Sequence, residues 1–114
     1  MNIDDLTQEL IAFRDRRDWK QFHDPKSLAG SIVIESTELY EIFQWTETEK
    51  SLERALDKKE DVKEEMADIL AYLFTLAHDL DIDLIEALSD KINKNNNKYP
   101  IEKSKGTSKK YTEL

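Results

Sequence analysis

Apolar residues along this chain recur at the spacing of helices, not of strands. Ile3, Leu6, Leu10 and Phe13 form a first stripe. Arg14, Arg16 and Arg17 close its last turn, where the helix dipole favours cations. After an irregular stretch over 18–23, Asp24-Pro25 has the form of an N-cap followed by proline at the first helical position. Leu28, Ile32, Leu39, Ile42 and Phe43 then mark a second helix, expected to end near Trp45. Residues 46–59 are polar, with a short helix around 52–56. A third helix follows over 60–79. Asp81-Ile82-Asp83 restarts the chain, and Leu84, Ile85, Leu88 and Ile92 supply a fourth stripe. Tyr99-Pro100 ends it, because proline disfavours helix in the residue before it. Residues 101–114 have no apolar period, so they are expected to be extended and ordered only by docking. The fold class that follows is all-α: a bundle of about four main helices over 1–100, with an extended basic C-terminal tail over 101–114.

The segment 66–80 is apolar around most of its circumference and needs cover on nearly every side. Three partner helices from so small a chain would not suffice, which implies helices from a second subunit. Composition supports the helical reading. The chain has 114 residues, only two glycines and two prolines, and no cysteine. One domain fits that length, and thiolate metal sites and cysteine nucleophiles are excluded. No apolar run is long enough to span a membrane. The start Met1-Asn2-Ile3-Asp4-Asp5 lacks the features of a secretion signal, so a cytoplasmic location is expected.

The net charge of −8 argues against long nucleic acid as a partner. Its distribution is more informative. Residues 91–110 hold seven lysines against Glu102 alone, a net of +6; with Glu113 adding −1, residues 1–90 carry −13.

Part of that acidic excess stands where a core should be. Glu35 and Glu38 lie on the second helix, Glu65 and Asp68 on the third, each pair at i, i+3 spacing and therefore on one face. A solvated acidic face is the ordinary account of one such pair. Here, however, Glu35 falls on the apolar stripe between Ile32 and Leu39. Asp68 is flanked by Met66, Ala67, Ile69, Leu70 and Ala71. Buried carboxylates are protonated, paired or metal-bound. Neither 27–45 nor 66–80 contains a lysine or arginine, so the pairing shifts towards an external cation. If the two helices are antiparallel neighbours, all four acids converge, with Glu41 and Glu64 outside them. An oxygen-only set suits Mg²⁺, or Mn²⁺ as a substitute, over zinc or iron. Such an ion commonly accompanies a phosphate substrate.

Lys91, Asn95 and Lys98 lie at i, i+4, i+7 on the fourth helix. A lysine-rich helix end is favourable by itself. Opposite a carboxylate-held cation, the same groups suit a polyphosphate. Trp19, Phe22, Trp45 and Tyr72 are candidates either for core packing or for stacking on a base or sugar.

The order Glu35-x-x-Glu38, spacer, Glu65-x-x-Asp68 resembles the signature of the MazG-like all-α nucleoside triphosphate pyrophosphohydrolases. Arg17-Asp18-Trp19-x-Gln21-Phe22-His23-x-Pro25, Phe43-Gln44-Trp45, Tyr72, Lys91…Asn95…Tyr99-Pro100 and Lys110-Tyr111-Thr112-Glu113-Leu114 extend the likeness towards its dCTP pyrophosphatase branch. The resemblance implies Mg²⁺-dependent cleavage of the α–β phosphate bond of dCTP or a related, modified nucleotide. The products would be the monophosphate and pyrophosphate, and the role housecleaning of the nucleotide pool. It assigns Glu35, Glu38, Glu65 and Asp68 to the metal, Lys91, Asn95 and Lys98 to the phosphates, and Trp19, Trp45 and Tyr72 to the nucleoside. Lys91 would also stabilise phosphoryl charge, and Glu38, off the apolar stripe, is the candidate general base. A homo-oligomer is implied, expected as a tetramer formed by a dimer of dimers. Two positions depart from the pattern: Thr37 replaces a glycine common among relatives, and Leu10 a histidine near the base in the animal enzymes. The alternative is a non-catalytic helical oligomer that binds a nucleotide or a protein through a vestigial metal site.

Overall fold

Asn2 opens the first helix. Its side chain accepts a hydrogen bond from the Asp5 amide (2.9 Å), and Asp5 accepts one from the Asn2 amide (3.4 Å). This reciprocal cap satisfies N–H groups that a helix start leaves unpaired, and it sets the start of α1 (Ile3–Arg16) in the computed structural model, which describes residues 1–114. The far end of α1 closes through Asp18, whose φ of 53° is left-handed. The Asp18 amide donates to the Asp15 carbonyl and the Trp19 amide to the Arg14 carbonyl, both at 3.1 Å. This is a Schellman closure with aspartate in the usual glycine position. It turns Trp19 back edge-on against Phe13, with ring centroids 5.8 Å apart. The irregular stretch after α1 is therefore a defined turn.

Asp24 caps α2 (Pro25–Glu41), accepting from the Ser27 amide (2.9 Å) and hydroxyl (2.8 Å). The helix stops short of Trp45. Beyond Glu41 the chain tightens into i→i+3 bonds, including Phe43 amide to Tyr40 carbonyl (2.9 Å) and Thr46 amide to Phe43 carbonyl (2.8 Å). Tighter bonds of this kind absorb carbonyls at a helix end. Arg54, on α3 (Ser51–Asp57), donates its Nε to the Ile42 carbonyl at 2.8 Å and ties the connection down. The remaining helices are α4 (Lys59–Asp79), α5 (Leu84–Lys98) and α6 (Ile101–Ser104). There is no strand, and the fold is all-α. No helix is long and apolar enough to cross a membrane.

The chain forms two compact units, Met1–Asp81 and Ile82–Leu114. In the first, α2 packs along α4, and α1 packs on α4 to a lesser extent. His23, just before α2, contacts Tyr72, whereas Glu38 near its end lies beside Glu65. Rising numbers on one helix meet falling numbers on the other, so α2 and α4 are antiparallel. Leu28 is fully buried at their contact, and Ala77 is the only other buried apolar residue. Thr75 is buried too, its hydroxyl donating to the Ala71 carbonyl one turn back (2.7 Å). The apolar circumference of α4 is only partly covered: Met66 and Leu70 remain exposed. Beside them, an apolar groove of about 400 Å³ runs between α1 and α4, lined by Leu6, Leu10, Phe13, Leu70 and Phe74 among others.

Arg14 continues the apolar stripe of α1 and is 3% exposed. Its guanidinium donates two hydrogen bonds, at 2.7 and 2.9 Å, to the two carboxylate oxygens of Asp79 in the last turn of α4. The pair holds Asp79 below the usual carboxylate range, chiefly through the hydrogen bond, and raises Arg14.

In the second unit Asp83 caps α5 by accepting from the Glu86 amide (3.1 Å), and Ile85, Leu88 and Ile92 are exposed along the helix. The C-terminal segment is not the extended tail that its lack of apolar periodicity suggests. It contains the helical turn α6 and a 3₁₀ turn at Tyr111–Glu113. Local bonds account for the difference, such as Ser104 amide to Pro100 carbonyl (3.0 Å) and Glu113 amide to Lys110 carbonyl (2.8 Å).

Removing one member of this part-buried, bidentate pair leaves the other charge uncompensated. Arg14→Ala should therefore lower the free energy of urea unfolding by about 3 kcal/mol. The double change Arg14→Met with Asp79→Leu should recover most of that loss. Additive losses in the double variant would mean that the pair is not coupled.

Candidate metal centre

The antiparallel packing of α2 against α4 juxtaposes acids that are far apart in sequence. One carboxylate oxygen from each of Glu35, Glu38 and Glu65 lies within 4.8 Å of the others. Glu35 and Glu38 are on neighbouring turns of α2, and Glu65 meets them from α4. Asp68 is not in this closest group. Its charge still acts on both Glu35 and Glu65. It is exposed, as are its neighbours Met66, Ala67 and Leu70, so the interior position expected from those apolar neighbours is not found.

No cation of the chain answers this charge. Its ion pairs are Arg14–Asp15, Arg14–Asp79 and Lys63–Glu60, none of which involves the cluster. Oε2 of Glu35 and Oε2 of Glu65 are both buried without a hydrogen-bond partner. A buried acceptor left unmatched is costly. Burial pushes Glu35 up to about 7, helped by the adjacent Glu38 carboxylate and then by the charges of Asp68 and Glu65. Glu65 is raised for the same leading reason, with Glu38 and Asp68 adding to it. Two carboxylates raised by burial, two orphaned oxygens and an oxygen-only donor set fit a hard divalent cation, which would take up the unmatched lone pairs and compete with protons.

The aromatic candidates are distributed around the first unit. Tyr72 lies one turn beyond Asp68 on α4 and meets the His23 ring edge-on, with centroids 6.4 Å apart. Trp19 is placed by the α1 closure, and Phe22 follows it in a 3₁₀ turn and is exposed. Trp45 is 90% exposed on the connection after α2. Thr37, in the place of the common glycine, donates its hydroxyl to the Val33 carbonyl (2.9 Å) and leaves the helix unbroken. Leu10 lines the groove between α1 and α4. Lys91, Asn95 and Lys98 belong to the second unit, along α5, and all three are exposed.

Two contacts were not anticipated from the sequence. Arg14 is legible in hindsight, since it stands four residues after Leu10 on the α1 stripe. The contact of His23 with Tyr72 has no local signature, because 49 residues of sequence separate them.

The raised Glu35 has a consequence for stability. It ionises near 7 in the folded chain against an ordinary 4.5, so between those values the folded state holds the extra proton. Its contribution is fully present below about 4.5 and is lost as pH rises through about 7. The melting temperature of metal-free protein should fall between pH 5 and pH 8, and Glu35→Gln should flatten the fall. Millimolar Mg²⁺ should raise the melting temperature more at pH 8 than at pH 5.5, since binding competes with protons. A metal-induced shift independent of pH would count against these carboxylates as its ligands.

The sequence profile of the MazG-like family matches residues 31–114. Mouse dCTP pyrophosphatase 1 is 37% identical over 98% of this chain and 67% of its own length. The human dCTP pyrophosphatase 1 is 35% identical over 98% of this chain and 67% of its own. Among solved structures, a pyrophosphatase from Archaeoglobus fulgidus superposes with a TM-score of 0.82 at 46% identity, covering 85% of this chain and 91% of that one. The segment matched by the family profile carries all four acids and the α5 lysines. The chain belongs to the MazG-like family.

Proposed function

We propose that this protein is a divalent-metal-dependent nucleoside triphosphate pyrophosphohydrolase acting on dCTP or a related, modified cytosine nucleotide. The observation that carries the reading is the cluster of Glu35, Glu38 and Glu65, without a cation of its own, in a chain whose relatives include dCTP pyrophosphatases. Water adds across the α–β phosphate bond, and the products are the nucleoside monophosphate and pyrophosphate.

Glu35, Glu38, Glu65 and Asp68 hold the metal, Mg²⁺ with Mn²⁺ as a substitute. Bound there, it supplies positive charge against phosphoryl oxygens and acidifies water. Glu38 accepts the proton of the attacking water; it is more exposed than Glu35 and Glu65, which suits a group that exchanges protons with solvent. Lys91, Asn95 and Lys98 grip the phosphates, and Lys91 stabilises the charge that builds on them in the transition state. Trp19, Phe22, Trp45 and Tyr72 hold the nucleoside by stacking and packing. The exposed faces at Val33, Ile34, Met66 and Leu70 support a homo-oligomer, a tetramer in this reading, because a lone chain leaves these apolar side chains in water.

A panel of nucleoside triphosphates, assayed with and without Mg²⁺, tests the proposal. Release of pyrophosphate from dCTP or a 5-substituted dCTP only with metal is the expected result. Orthophosphate as the product would reject the bond assignment, and no release from any member would reject the enzyme. Glu38→Gln and Asp68→Asn should each lower kcat at least about 100-fold while circular dichroism is unchanged. Retained turnover in either variant would remove that residue from the centre.

A further inference from the structure

Lys98 is the last residue of α5, and its ammonium does not stand free. It lies over the Tyr111 ring, 4.8 Å from the centroid. Tyr111 is itself braced, meeting Tyr99 edge-on with centroids 6.1 Å apart and ring planes 82° apart. Tyr99 is fixed in turn as the C-cap of α5, where its amide donates to the Asn95 carbonyl at 2.8 Å. The chain returns to this point after α6 by way of Gly106, whose φ of 81° is a left-handed conformation that side chains disfavour. Lys109 then donates its amide to the Thr107 hydroxyl (3.3 Å), and the 3₁₀ turn at Tyr111–Glu113 presents the ring.

We infer that Tyr111 is a positioning residue for phosphate binding, its ring holding the Lys98 ammonium in place at the end of α5. The inference rests on the proposed role of Lys98 as a phosphate ligand. A lysine has four flexible side-chain bonds and loses most of that freedom when it grips an anion. An aromatic face beneath the ammonium restricts it beforehand. A phosphate then binds a cation already in place. The ring occupies one side of the ammonium, and N–H donors remain directed away from it for an anion. Through Tyr99 the contact is continuous with the backbone of Asn95, so the two phosphate-facing residues share one support. An exposed contact of this kind corresponds to about two- to fivefold in affinity.

The test uses the full chain with Mg²⁺ and the substrate found by the panel. Tyr111→Leu should raise KM about two- to fivefold and leave kcat within about twofold. Tyr111→Phe, which keeps the ring face, should restore KM. Lys98→Met should also raise KM, and adding Tyr111→Leu to it should have no further effect. Without turnover, the ε-proton resonances of Lys98 should lie upfield from the ring current and return to the ordinary position in Tyr111→Leu. Gly106→Ala, which strains the return of the chain, should move them part of the way. An unchanged or lower KM in Tyr111→Leu, while Lys98→Met raises it, would overturn this inference alone. So would a Tyr111→Leu penalty that persists in the Lys98→Met background. If Lys98→Met leaves KM unchanged while the upfield resonances are present, the phosphate role of Lys98 fails, and this inference fails with it.

Discussion

The antiparallel contact between α2 and α4 is the constraint on which the rest depends. Leu28 on α2 is fully buried, and Thr75 and Ala77 on α4 are nearly so. The same register that buries Leu28 brings Glu35 and Glu38 against Glu65. The acids are therefore held together by apolar packing elsewhere along the seam, against their own repulsion. Their cost is visible in Glu35, which keeps its proton to about 7, and in two buried oxygens without partners. A cation that binds the folded state relieves the repulsion and returns stability through binding linkage.

Polar contacts at the ends of the helices place the remaining parts. The Schellman closure at Asp18 directs Trp19 onto Phe13, and the Asp24 cap sets where α2 begins. Arg14 and Asp79 fasten the end of α1 to the end of α4 with a two-bond fork that lysine could not reproduce. These contacts compensate in part for a thin apolar interior. The chain buries two apolar residues and leaves a row of others exposed along α2, α4 and α5.

Much of this was legible in the chain, for identifiable reasons. The helices were marked by apolar periodicity, and Asp24-Pro25 located the start of α2 because capping is a local interaction. Glu35 stood out as an acid on an apolar stripe. The α2 helix ends earlier than the apolar pattern implies, since Ile42 and Phe43 continue that pattern while their backbone has already tightened into i→i+3 turns. The helical and 3₁₀ turns of the C-terminal segment leave no periodic trace because they rest on a few local backbone bonds, with Tyr111 in addition against Tyr99 and Lys98. The apolar neighbours of Asp68 imply an interior position, yet Met66, Ala67 and Leu70 are exposed on this chain and only Ile69 and Ala71 are partly covered.

Read alone, the residues determined the class of fold, because helix period and caps are properties of short stretches, and the motif order around Glu35-x-x-Glu38 and Glu65-x-x-Asp68 carried the resemblance to the family. Only the tertiary structure decided that Glu35, Glu38 and Glu65 meet within 4.8 Å while Asp68 stands outside that group. It alone also showed that Arg14 is buried against Asp79 and that His23 touches Tyr72. Distances of this kind depend on the register of one helix against another. That register is set by the sum of many weak packing contacts along the whole seam, and no single segment encodes it.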